Sequence, residues 1–151
     1  DLWLVGGASN VGCAVLREEG FSVEELETLS ALIDWTATPA QPDYYPLPRA
    51  VVGERFPCAD DSKVAVLAPV PLSRADFLHS ILHAIARVET DGYSVLAQLG
   101  ASQLQRVLTA GGGSRNDLWT DLRARLLQVP TLRARETDAA VGIALLASRS
   151  T

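Results

Sequence analysis

The residues with the best-defined chemistry lie together in Thr109-Ala110-Gly111-Gly112-Gly113-Ser114-Arg115-Asn116-Asp117-Leu118-Trp119. Three consecutive glycines remove the Cβ atoms that would hold a planar or charged ligand away from the backbone. A helix starting just after them presents unpaired N–H groups and a partial positive charge. Asn116 and Trp119, three positions apart, fall side by side on such a helix. An amide and an indole beside a bare glycine turn suit a purine, so Gly111, Gly112, Gly113, Ser114, Asn116 and Trp119 are the candidate nucleotide-binding residues. The same pattern also fits a tight turn that merely lets a helix pack closely on a sheet. If a ligand does sit there, a valine at Gly113 is expected to intrude on it and spare the fold, whereas Leu122→Ala does the reverse.

Other constellations are incomplete. A dinucleotide fingerprint needs a third glycine where Asn116 stands, and a Walker A loop needs a Gly-Lys-Ser/Thr that does not follow. Gly7-Ala8-Ser9-Asn10-Val11 lacks the second glycine of a nucleophile elbow and reads as a turn plus helix cap. His79 and His83 stand at i, i+4 with Asp76 before them, but Ser80 replaces the glutamate that a zinc-protease helix carries after its first histidine. They read as solvated helix positions, and no metal site is expected. Glu54-Arg55, between Gly53 and Pro57, reads as an ion pair fixing a long loop.

These residues need elements to position them. Leu2 to Val5 reads as a strand ended by Gly6-Gly7, followed by a short helix around Val11 to Arg17 that Gly20 closes. Ser22 and Glu25 form a capping box for a helix over Val23 to Asp34. Prolines 39, 42, 46, 48 and 57 with Gly53 mark an irregular connection, and Val64 to Leu67 a short strand. Ser73 caps a long helix reaching Gly100, with Phe77, Leu78, Ile81, Leu82, Ile85, Val88, Leu96 and Leu99 in helical period. Gly92 inside it implies a kink or a close packing contact. Val107 to Ala110 reads as a strand and Ser114 as the cap of a helix to about Gln128, with Leu118, Leu122 and Leu126 inward. Val129 to Leu132 is a further strand, and Thr137-Asp138 cap a last helix ending near Ser148. Strand, helix, strand, helix implies an α/β layer.

Composition narrows the classes. The chain has 151 residues, 13 Lys and Arg against 18 Asp and Glu, and a formal net charge of -5. That size suits one domain, and the acidic balance argues against a nucleic-acid partner. No run approaches ~18 apolar residues, so no membrane partner is expected. Two cysteines, Cys13 and Cys58, are too few for a disulfide framework. The lack of methionine and an opening inside an apolar run predict a fragment of a longer protein.

The glycine turn and its surroundings resemble the FGGY carbohydrate kinase family, within it the ketopentose kinases of the xylulokinase and ribulokinase type. The likeness rests on Ala110-Gly111-Gly112-Gly113-Ser114-Arg115-Asn116 with Trp119, on Leu127-Gln128-Val129-Pro130, and on Glu136-Thr137-Asp138-Ala139-Ala140-x-Gly142-Ile143-Ala144-x-Leu146-Ala147. Gly6-Gly7-Ala8-Ser9-Asn10, Gly53-Glu54-Arg55-x-Pro57 and Arg74 through Gly100 agree. His83-Ala84 departs from the Glu-Gly common in the family. The resemblance implies an α/β, ribonuclease H-like (actin-like ATPase) domain, a mixed sheet with helices packed on it. It implies that residues 1–151 are most of the second, nucleotide-binding domain of a two-domain sugar kinase, with the first domain absent.

It assigns Gly112, Gly113 and Asn116 to the nucleotide, with Gly111, Ser114 and Trp119 as neighbours. ATP and Mg2+ are the implied cofactors, and a ketopentose (D-ribulose or D-xylulose), bound through the missing domain, is the implied substrate. ATP/ADP and that small sugar are the partners. The catalytic base and phosphate loops are expected upstream, so the isolated chain is expected to be inactive. The expected location is cytoplasmic, or an organelle stroma or matrix if a transit peptide lies upstream. Two other classes fit the turn: a non-catalytic actin-like nucleotide-binding switch protein, and an α/β enzyme of different chemistry such as a methyltransferase.

Overall fold

The computed structural model describes residues 4–136 and 139–148. Helix α1, Ala14–Glu18, buries Val15 and Leu16, and Gly20 leaves it in the left-handed region. Helix α2, Val23–Ser30, begins with the expected capping box between Ser22 and Glu25. It stops short of Asp34, where the chain turns and the Trp35 indole N–H donates back to the Ser30 carbonyl at 2.9 Å.

Helix α3, Arg74–Gln98, is the spine, capped by Ser73. Its face of Phe77, Leu78, Ile81, Leu82, Ile85 and Val88 forms the core with Val15, Phe21, Trp35, Tyr44, Trp119 and Leu122. Leu99 lies past the helix end and is exposed. At Gly92 the close contact is realised, since an added Cβ would stand 2.9 Å from Cε1 of Phe56.

Strand β1, Val107–Thr109, pairs in parallel with β2, Thr131–Arg133, with Val107 opposite Thr131. Helix α4, Asp117–Leu127, makes the crossover between them, as parallel pairing requires. The second strand starts two residues later than its sequence suggests, because Pro130 has no N–H and serves only as acceptor for Val107 N–H. The described sheet is this two-stranded parallel ladder, consistent with α/β. Helix α5, Ala139–Ser148, comes last; its expected cap, Thr137-Asp138, lies outside the described residues.

Several expectations are corrected. Leu4 and Val5 are exposed and lie in no strand, for no partner strand reaches them among the described residues. Val64 to Leu67 reduces to one antiparallel bridge, Val66 with Tyr45, with Pro69 and Pro71 closing off extension. On α4 the inward stripe is Trp119, Leu122 and Arg123, with Leu126 half-buried and Leu118 43% exposed. The indole of Trp119, donating to the Leu82 carbonyl at 2.9 Å, sets that rotation. Among the described residues no helix is long and apolar enough to cross a membrane.

The histidines are not solvated. His79 is buried and His83 half-buried, because the turn after α2 folds Trp35 edge-on against His79, 5.5 Å between ring centroids. His79 Nε2 and His83 Nδ1 have no hydrogen-bond partner among the described residues. Burial pushes the pKa of His79 down against the opposing pull of Asp76 and Asp34. Burial, then His79 and Arg87, push His83 down. The folded state therefore resists protons that the unfolded chain accepts below about pH 6.5, and stability is full above that value and falls below it. The melting temperature should begin to fall as the pH drops below about 6.5, ahead of the ordinary carboxylate range. His79→Gln with His83→Gln should flatten that slope, and an unchanged slope in the double variant would contradict the assignment.

Candidate functional site

The glycine turn leaves β1 at Thr109 and is built by its own hydrogen bonds. Gly111 adopts φ 83°, a left-handed conformation that a side chain would strain. Its carbonyl accepts from the Ser114 backbone N–H at 3.2 Å and from the Ser114 hydroxyl at 2.7 Å. Ser114 is buried, so its hydroxyl locks the turn from inside. Gly112–Arg115 form one 3-10 turn, and the cap of α4 is Asn116 rather than Ser114. Asn116 Oδ1 accepts the Trp119 backbone N–H at 3.0 Å, while its Nδ2–H donates to the Ser30 hydroxyl at 2.8 Å. An amide supplies both an acceptor and donors, which a serine cap does not.

The turn has two different faces. An added Cβ at Gly111 or Gly112 would meet no atom within 4 Å. At Gly113 it would stand 2.8 Å from Cζ3 of Trp119 and 3.2 Å from Sγ of Cys13. Gly113 is thus a close-approach glycine that lets the turn sit on the indole, which corrects the expectation that valine there would spare the fold. Trp119 is only 5% exposed and its N–H is spent on Leu82, so its indole forms wall and core rather than a surface neighbour of Asn116.

A cleft of about 560 Å³ opens beside the turn, within the size range of small-molecule sites. Gly112, Gly113 and Ser114 line it, as do Gly6, Gly7, Ser9 and Gly12. Ile85, Val88 and Gly92 of α3 also contribute, together with Phe56. Gly111 and Asn116 stand outside this lining. In sequence the amino-terminal glycine segment reads as a turn and cap only; Glu54 brings it to the cleft.

The Glu54 carboxylate is buried and accepts four hydrogen bonds. They come from the Ser9 hydroxyl at 2.7 Å, the Asn10 N–H at 2.7 Å, the Tyr45 hydroxyl at 2.8 Å and the Arg55 N–H at 2.9 Å. Burial alone would raise its pKa, but the four donors outweigh it and hold the carboxyl below its ordinary value. The expected ion pair with Arg55 is not formed. Adjacent residues of an extended segment point to opposite sides, and the Arg55 guanidinium reaches outward to Asn10 Oδ1 at 2.9 Å.

The cleft also holds a charged pair that sequence spacing does not reveal. Arg123 donates twice to the Glu89 carboxylate, both at 2.7 Å, and once to the Thr109 hydroxyl at 2.8 Å. It joins α3, α4 and β1 behind the turn. Burial raises the Cys13 pKa, with Arg123 opposing, so the thiol stays protonated beside Gly113. Among the described residues no group of three or more His, Cys, Asp or Glu could hold a metal ion.

Residues 2–151 match the family described as FGGY family of carbohydrate kinases, C-terminal domain. The chain belongs to this family. Among curated proteins, L-fuculokinase of Haemophilus influenzae (strain ATCC 51907 / DSM 11121 / KW20 / Rd) is 36% identical to it over 58 residues. That match spans 38% of this chain and 12% of the relative. The chain therefore corresponds to a small part of the curated relative's length, within a domain type that the FGGY kinases carry at their carboxy-terminal end.

The two faces of the turn separate by mutation. Gly113→Val should lower the melting temperature and shift chemical denaturation, since valine would press on Trp119 and Cys13; overpacking of this kind typically costs ~1 to 3 kcal/mol. Gly112→Ala, opening into free space, should stay within about 0.5 kcal/mol of wild type. Equal stabilities for the two variants would contradict the packing assigned to Gly113.

Proposed function

We propose that this chain is the nucleotide-binding part of an ATP-dependent sugar kinase, a ribonuclease H-like (actin-like) domain that works with a second domain carrying the sugar. Family membership makes sugar phosphorylation the reaction class, and the turn from Ala110 to Asn116 carries the nucleotide reading. The fit is physical. Gly111 and Gly112 leave open space beside the backbone, and the amino end of α4 directs partial positive charge toward a phosphorylated ligand. Gly112 lets a purine lie against the main chain, with Gly113 beside it in the cleft lining, and Asn116 offers an amide at its edge.

When bound, ATP supplies the γ-phosphoryl group that passes to a sugar hydroxyl. This chain's residues bind and orient: the Ser114 hydroxyl keeps the turn in shape, and Arg123 with Glu89 keeps α3, α4 and β1 in fixed relation behind it. Phosphoryl transfer depends mostly on such positioning and electrostatics. Mg2+ accompanies the triphosphate in this proposal, as it is held largely by phosphate oxygens and water. The described residues offer it no ligand cluster. A ketopentose, D-ribulose or D-xylulose, is the proposed acceptor on the strength of the motif resemblance to the xylulokinase and ribulokinase type.

Coupled measurement of ADP release by the full-length protein tests the proposal. D-ribulose or D-xylulose should stimulate release, with L-fuculose as the comparison sugar, and the 151-residue chain alone should show none above a heat-killed control. Slow ATP turnover indifferent to every sugar would overturn the kinase reading in favour of a nucleotide switch.

A further inference from the structure

Ser30, the last residue of α2, is almost fully buried and carries no motif. Its hydroxyl accepts from Asn116 Nδ2–H across 86 positions of chain. Its carbonyl accepts from the Trp35 indole, and the Trp35 carbonyl in turn accepts from Arg125 of α4 at 2.6 Å. Ser30 is thus anchored to the same helix whose first turn it meets through Asn116.

The chemistry of the amide fixes its orientation. The Trp119 backbone N–H can bond only to an acceptor, so the oxygen of Asn116 faces α4 and its nitrogen faces Ser30. Ser30 takes one of the two Nδ2 hydrogens, and the other has no partner among the described residues. Capping the helix needs only Oδ1, a task that aspartate or serine performs as well. The bond to Ser30 engages the half of the side chain that capping leaves unused.

We infer that Ser30 is a positioning residue of the nucleotide site: it holds the Asn116 amide so that its remaining N–H is a fixed donor to an acceptor atom of a bound purine nucleotide. This rests on the nucleotide reading proposed above. Asn116 meets the ligand, and Ser30 acts only through Asn116. The buried hydroxyl has a partner in this arrangement, built into the neighbouring helix, whereas an alanine would leave the amide free to tilt about its cap bond.

The test uses the full-length kinase with Ser30→Ala, Asn116→Asp and the double variant, measured for the KM of ATP, the KM of the sugar, kcat and melting temperature. Ser30→Ala should raise the KM for ATP about twofold to tenfold, the range of one ordinary hydrogen bond, with kcat and the sugar KM unchanged. Asn116→Asp keeps the acceptor that caps α4 and loses the donor, so it should melt close to wild type while raising the KM for ATP at least as much. The double variant should be no worse for ATP than Asn116→Asp alone, because both changes remove one interaction. A raised ATP KM in Asn116→Asp with none in Ser30→Ala overturns the role of Ser30 and leaves the nucleotide reading standing. Unchanged ATP KM in both overturns the two together. A Ser30→Ala protein that melts lower and loses kcat and both KM values alike shows a structural residue only, and also overturns the inference.

Discussion

A buried carboxylate organises much of this domain. Glu54 lies in an irregular connection with little regular hydrogen bonding, and its four donors come from three separate stretches of chain. Without it, Ser9 would lose its bond to the loop and Asn10 would keep only its side-chain contacts, so one glycine-lined part of the cleft would be held less firmly. The charge remains because each of its oxygens accepts two hydrogen bonds, which offsets the cost of taking an anion out of water. Asn10 reinforces the join with its own side chain, donating to the Gly53 carbonyl at 2.9 Å while accepting from Arg55.

The glycine turn is held by a different device. It has almost no side chains with which to pack, so its position is inherited from the helix α4 that it leads into. Trp119 drives its indole into the core and bonds Leu82 of α3, and Asn116 ties the start of α4 to α2. The turn is therefore pinned just beyond its carboxy-terminal end to two other helices, and at its amino-terminal end to β1, where Arg123 bonds Thr109. A ligand approaching the backbone of Gly111 and Gly112 would meet a surface already fixed, which lowers the ordering cost of binding. The buried Arg123–Glu89 pair serves the same rigidity, since a bidentate contact between α3 and α4 resists both rotation and sliding.

Local signals are legible in the chain. Ser22 and Glu25 specify their capping box, Ser73 caps α3, and Gly20 and Gly100 end their helices in left-handed conformations, because each of these features is settled by atoms within a few residues of one another. The family, too, can be read from contiguous motifs, since a glycine turn and the segments around it are patterns along the chain. Residues one or two positions wrong, such as the start of β2 or the cap of α4, err where two local candidates compete. Pro130 delays its strand because it lacks a donor, and Asn116 takes the cap because its amide has both an acceptor and donors.

Long-range contacts decided the rest. Sequence alone determined which segments are helical, where a glycine turn joins a strand to a helix, and that the chain carries a carbohydrate-kinase pattern. Only the tertiary structure decided that Glu54 gathers Ser9, Asn10 and Tyr45 rather than pairing with the Arg55 guanidinium, that Trp35 closes over His79, that Gly113 faces an indole, and that Ser30 reaches Asn116. Helical period gives an approximate face but not which neighbour covers it, and a hydrogen bond between residues 86 positions apart leaves no periodic trace in the chain. Local order comes from propensity and capping, whereas the partner of a buried polar group is chosen by which distant segment the folded core brings within about 3 Å.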